Sequence, residues 1–120
     1  MLLSGDIERA AEALLSKHRA SELWADVLLV PHHGSRSSSS AQFLAAVRPS
    51  GAAVSVGYRN RFAHPNPGVP DRYRARGVRI LRTDRDGAIE VRMVLGGPAL
   101  EVERARRRRY GYSYWHDAMP

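Results

Sequence analysis

The segment Asp26-Val27-Leu28-Leu29-Val30, stopped by Pro31, is the feature that most constrains the fold of this chain. A continuous apolar run of this length reads as a strand covered on both faces, the habit of a parallel sheet flanked by helices. Directly behind it stand His32 and His33, then Gly34, Ser35, Arg36 and a serine run from Ser37 to Ser40. Two adjacent imidazoles at a strand end have no packing role, and a carboxylate, Asp6, follows an earlier strand stump at residues 1–3.

The remaining pattern alternates. Ile7, Ala10, Ala11, Leu14 and Leu15 recur at helical spacing behind Asp6, and the serines offer N-caps for a helix through Phe43, Leu44 and Val47. Residues 52–56 form the next expected strand, 57–70 a loop rich in Pro, Gly and Asn, and 71–75 a short helix ending at Gly77. Residues 78–82 and 88–94 are expected to pair as a hairpin through Asp84-Arg85-Asp86-Gly87, with a last strand over 99–104. The order implies an α/β fold.

A chain of 120 residues is one domain or a piece of one, and without cysteine it holds neither disulfides nor thiolate metal sites. No apolar run approaches the ~20 residues of a membrane helix, and no signal peptide is visible. The net charge of +7 is nearly all arginine on the basic side. Arg104 and Arg106 to Arg109, followed by Tyr110, Tyr112, Tyr114 and Trp115, carry the ingredients of nucleic-acid binding, although a solvated tail has the same composition.

Chemistry in α/β proteins gathers in loops at strand ends. Asp6, the His32–His33 pair and His64 each follow a strand, so a carboxylate and imidazoles suited to a divalent metal can converge there. Adjacent residues at a strand end tend to point to opposite sides, so one histidine of the pair is expected to bind metal and the other to hydrogen-bond a phosphate or orient a ligand. Taken singly, Asp6 reads first as a helix N-cap and His64 as an ordinary loop residue. Ser35 and the following serines can offer hydroxyl and N–H groups to an oxyanion, and Arg36, Arg59 and Arg61 can position phosphate.

Leu2-Leu3-Ser4-Gly5-Asp6-Ile7, residues 25–39 with their Pro-His-His-Gly-Ser block, Ala63-His64-Pro65-Asn66-Pro67 and Thr83-Asp84-Arg85-Asp86-Gly87 resemble, in order, the C-terminal half of the metallo-β-lactamase-like domain of the ComEC competence family. The resemblance implies residues 1–95 as part of an αββα sandwich hydrolase, with residues 96–120 a basic, aromatic C-terminal strand and tail. It implies a dinuclear centre of zinc or manganese, with Asp6 as bridging ligand, His32 or His33 as a late ligand and His64 near the site. Asp6, His33 and His64 are then the catalytic candidates, and DNA or another phosphodiester the substrate. Ala63 and Asn66 depart from the family's Gly-His-Pro-His-Pro-like loop. The family's early His-x-Asp-x-Asp-His-type motif would lie upstream of Met1, and its transmembrane channel further upstream, so the parent is expected in the bacterial inner membrane with this domain outside the bilayer. The isolated chain is expected to be inactive, its partner being the missing half of the domain. A small basic nucleic-acid-binding module and an inert truncated fragment are the alternatives.

Overall fold

The computed structural model describes residues 1–102. The chain is α/β: a four-stranded parallel sheet with helices, followed by an antiparallel pair of strands. Strands β1 (Leu2–Leu3), β2 (Val27–Leu29), β3 (Gly51–Val54) and β4 (Arg79–Arg82) lie side by side in sequence order. Helices α1 (Arg9–His18), α2 (Ala41–Val47) and α3 (Gly68–Arg74) make the three crossovers.

Register follows the apolar pattern. Leu2, Leu28, Ala52 and Ile80 form one row across the sheet. With Val30 and Val54 they pack against Phe43, Leu44 and Val47 of α2 and Val69 and Tyr73 of α3. The pleat sends the next row, Leu3, Leu29, Ala53 and Leu81, to the other face. There Leu100 closes over Gly51, where an added Cβ would sit 3.1 Å from its methyl carbons. This two-faced arrangement is compatible with an α/β sandwich.

Several expectations change. The hairpin through Asp84–Gly87 does not form: Thr83–Asp86 is a helical turn, here α4, and β5 (Ile89–Val94) pairs instead with β6 (Gly97–Val102). The reason is local. Asp86 Oδ2 accepts the backbone N–H of Arg82 at 2.7 Å, and Asp84 takes the Arg82 guanidinium through two hydrogen bonds of 3.0 and 2.7 Å. Aspartates that satisfy nearby donors compete with strand pairing. The last strand begins at Gly97 rather than 99, its expected residues 103 and 104 lying outside the described residues, and α3 begins at Gly68 rather than 71.

Helix α1 also departs from its apolar stripe. Leu14 is 61% exposed, whereas Glu12 and Ser16 are buried. Glu12 turns inward because α2 presents free donors. Its two carboxylate oxygens accept the backbone N–H groups of Ser39 at 2.5 Å and Ser40 at 2.7 Å. Ser40 caps α2 as expected, its Oγ accepting the N–H of Phe43 at 3.2 Å. The oxyanion held by the serine run is thus the protein's own. Ser39 Oγ bonds the Tyr73 hydroxyl at 2.8 Å, and burial pushes the Tyr73 phenol well above its ordinary range.

Candidate metal centre

All four parallel strands deliver their C-terminal ends to one edge of the sheet, and the candidate residues gather in the loops there. Ser4 Oγ donates to Leu29 O at 2.9 Å, and His32 N donates to Gly5 O at 2.9 Å. These two bonds lock the loop carrying Asp6 against the loop carrying the histidines. Asp6 is not a helix cap: the N-cap of α1 is Glu8.

Residues Pro31–Gly34 make a 3₁₀ turn, with His32 and His33 both in the left-handed region at φ 48 and 53. The pair is therefore not at a strand end, and strand alternation does not govern its side chains. What separates the two rings is their partners. His33 Nδ1 lies 2.7 Å from the carbonyl oxygen of Ser55 at the end of β3. A carbonyl only accepts, so Nδ1 carries the ring proton and a neutral ring keeps its lone pair on Nε2. That Nε2 sits 3.7 Å from Asp6 Oδ1. Thr83 Oγ1 braces this strand end, accepting from Val56 N at 2.8 Å and donating to Val56 O at 2.7 Å.

His32 takes a different counter-group. Its Nδ1, shielded from solvent, makes no aligned hydrogen bond but has Glu8 Oε1 at 2.8 Å. Ser37 Oγ holds the same carboxylate oxygen at 3.1 Å, and Ser35 Oγ bonds Ser37 Oγ at 3.1 Å. Ser35 is thereby part of the support behind His32. His64 joins the group edge-on, its ring centroid 6.2 Å from that of His32, while Asn60 accepts its N–H at 2.9 Å and donates to its carbonyl at 2.6 Å.

The chemistry of Asp6 and His33 fits a divalent ion. A backbone carbonyl fixing one imidazole nitrogen is the usual support of a metal-bound histidine. Donor atoms 3.7 Å apart can share one ion at about 2.1 Å from each. Among the described residues no group of three or more His, Asp or Glu side chains assembles around one point.

Arg36 is exposed beside the site, whereas Arg59 and Arg61 stand on the loop after β3, over the rings of Tyr58 and Phe62 at 5.2 and 4.9 Å. Sequence reasoning missed Glu8, Ser55, Thr83 and Asn60. Ser55 and Thr83 had one legible signal, their place at strand ends; Glu8 and Asn60 had none. The arginine and aromatic cluster of residues 104–115 lies outside the described residues.

The chain is 40% identical over 115 residues to "Competence protein ComA" of Neisseria gonorrhoeae, covering 96% of this chain and 16% of that protein. It is 36% identical over 91 residues to "ComE operon protein 3" of Bacillus subtilis, 76% of this chain and 12% of that protein. The chain is thus similar to one segment of two proteins that carry competence names. "Recombination protein 2" of Haemophilus influenzae matches at 32% identity over 116 residues, 97% of this chain and 14% of its own length. The chain thus spans between 12% and 16% of these relatives. No family model matches it, and no solved structure does. Among the described residues no helix is long and apolar enough to cross a membrane.

Proposed function

We propose that the chain serves DNA uptake in competence as part of a metal-dependent phosphodiesterase, contributing Asp6 and His33 to its metal centre. The observation that carries this reading is the His33 ring, held by the Ser55 carbonyl at 2.7 Å with Nε2 turned to Asp6 at 3.7 Å. The competence relatives support the biological setting.

A bound zinc or manganese ion would supply a water of lowered pKa and neutralise charge growing on phosphate oxygens. The residues of the chain do the positioning. Asp6, its carboxylate largely exposed, and His33, its proton held on Nδ1 and its Nε2 lone pair free, are the residues that would hold the metal. His32, backed by Glu8, is the ring left to hydrogen-bond a phosphate oxygen. A catalytic ion takes three or more protein donors, so the reading places the further ones outside residues 1–102.

Metal titration of the 120-residue chain tests the pair. Asp6→Ala and His33→Ala should each weaken zinc or manganese binding by about tenfold or more, with His32→Ala much milder. Equal binding by all three variants would sink the assignment. The chain alone should not cleave DNA; metal-dependent cleavage abolished by Asp6→Ala would show that it carries a complete centre.

A further inference from the structure

The loop after β3 does more than carry His64. Tyr58 and Phe62 on it are 70% and 65% exposed, and each carries a guanidinium over its ring, Arg59 at 5.2 Å and Arg61 at 4.9 Å. Large aromatic rings left in water at this level contribute nothing to the core. Phe62 also stacks on His64, with ring centroids 6.0 Å apart and planes 22° from parallel.

Two clefts flank this loop. The smaller, about 310 Å³, is lined by His33, Ser55, Phe62 and His64. The larger, about 540 Å³, is lined by Arg59, Arg74, Arg82 and Arg85, with Asp71 and Asp84. Asn60 and His64 line both, so the clefts meet at a common wall. The two aspartates are already committed: Asp71 pairs with Arg74 at 2.9 Å and Asp84 with Arg82 at 2.7 Å. Arg59 and Arg85 have no carboxylate partner among the described residues, which leaves two uncompensated cations facing the larger cleft.

We infer that Tyr58, Phe62, Arg59 and Arg85 form a binding track for single-stranded nucleic acid that leads into the Asp6–His33 site. Exposed aromatic rings take unstacked bases, which a duplex keeps hidden, here in exchange for the guanidinium over each ring and, on Phe62, for the His64 ring, while Arg59 and Arg85, with no carboxylate partner among the described residues, take the phosphates. Phe62 lines the same cleft as His33 and stacks on His64 of the shared wall, so a strand stacked there would bring its neighbouring phosphate toward Asp6. The inference rests on the proposed hydrolase only for where the track leads; binding itself requires no metal.

The test is fluorescence anisotropy of a labelled single-stranded oligodeoxynucleotide and of its duplex, with chelator present, across a salt series. Residues 103–120 carry arginines of their own, so the readout is the difference between variants. Tyr58→Ala with Phe62→Ala should weaken single-strand binding by about fivefold or more and leave duplex binding nearly unchanged. Arg59→Ala with Arg85→Ala should lower the slope of log affinity against log salt by roughly 1.4, and the double lysine variant should restore it. All four side chains are exposed or half out of the core, so folding is not at stake. Affinity and slope unchanged in both double variants, or duplex binding that falls equally with the aromatics, would overturn the inference. Asp6→Ala separates the two readings. It should lose metal binding while keeping single-strand affinity, so a failed metal titration leaves the track standing and a failed anisotropy series leaves the metal pair standing.

Discussion

At the scale of single residues, the turn Pro31–Gly34 shows how much local strain the site carries. His32, His33 and Gly34 are consecutive residues at positive φ, of 48, 53 and 80. A left-handed conformation costs a residue with a Cβ roughly 1–2 kcal/mol. The turn persists because neighbouring bonds determine it: His32 N to Gly5 O at 2.9 Å, Ser35 N to His32 O at 2.9 Å, and Asn66 N to Gly34 O at 2.8 Å. Gly34 has a second constraint, since a Cβ there would lie 2.5 Å from Pro65 Cβ. Gly34→Ala should therefore destabilise the chain by about 2–4 kcal/mol, combining left-handed strain with overpacking; the shift of the urea midpoint measures it. The histidines themselves were legible as a pair in the sequence. Their division of labour was not, because Glu8 and Ser55 come from other segments.

At the scale of elements, charge placement overrode two patterns. The hairpin signal at Asp84–Gly87 is sound as composition, but Asp86 and Asp84 satisfy Arg82 locally and the chain turns through α4 before β5 begins. The α1 stripe fails for a related reason. The N–H groups at the start of α2 need an acceptor, and the Glu12 carboxylate supplies both bonds from a buried position. Glu12→Gln keeps the shape but offers one carbonyl oxygen where two carboxylate oxygens were used. It should cost about 1–3 kcal/mol, as expected for a buried donor left unpaired. Equal urea midpoints for the variant and the parent would show that water replaces the lost bond.

At the scale of the molecule, the helix-side face of the sheet is closed while apolar groups remain open elsewhere. Leu3 on the β1 edge is 68% exposed, and Met93, Val94 and Leu95 stand in solvent at the β5–β6 turn. An apolar edge strand invites self-association. Leu3→Lys with Leu95→Lys should raise the monomeric fraction in sedimentation and leave the fold's urea midpoint nearly unchanged; an unchanged monomer fraction would clear these positions of that role.

Periodicity was enough to read the alternation of strands and helices and the α/β class, and the loops that follow strands were enough to single out Asp6, His32, His33 and His64, which the structure brings to one edge of the sheet. These features depend on the apolar pattern along each segment and on the one-directional run of a parallel sheet, both of which are written locally. The tail arginines and aromatics were equally legible as composition, though they lie outside the described residues. Contacts between distant segments carried the rest: Glu12 under α2, Ser55 behind His33, Glu8 behind His32, and the arginine cleft shared by the β3 loop, α3 and α4. Hydrogen bonds and charge pairs act over a few ångströms of space rather than along the chain, so these partners became visible only once the fold had brought them together.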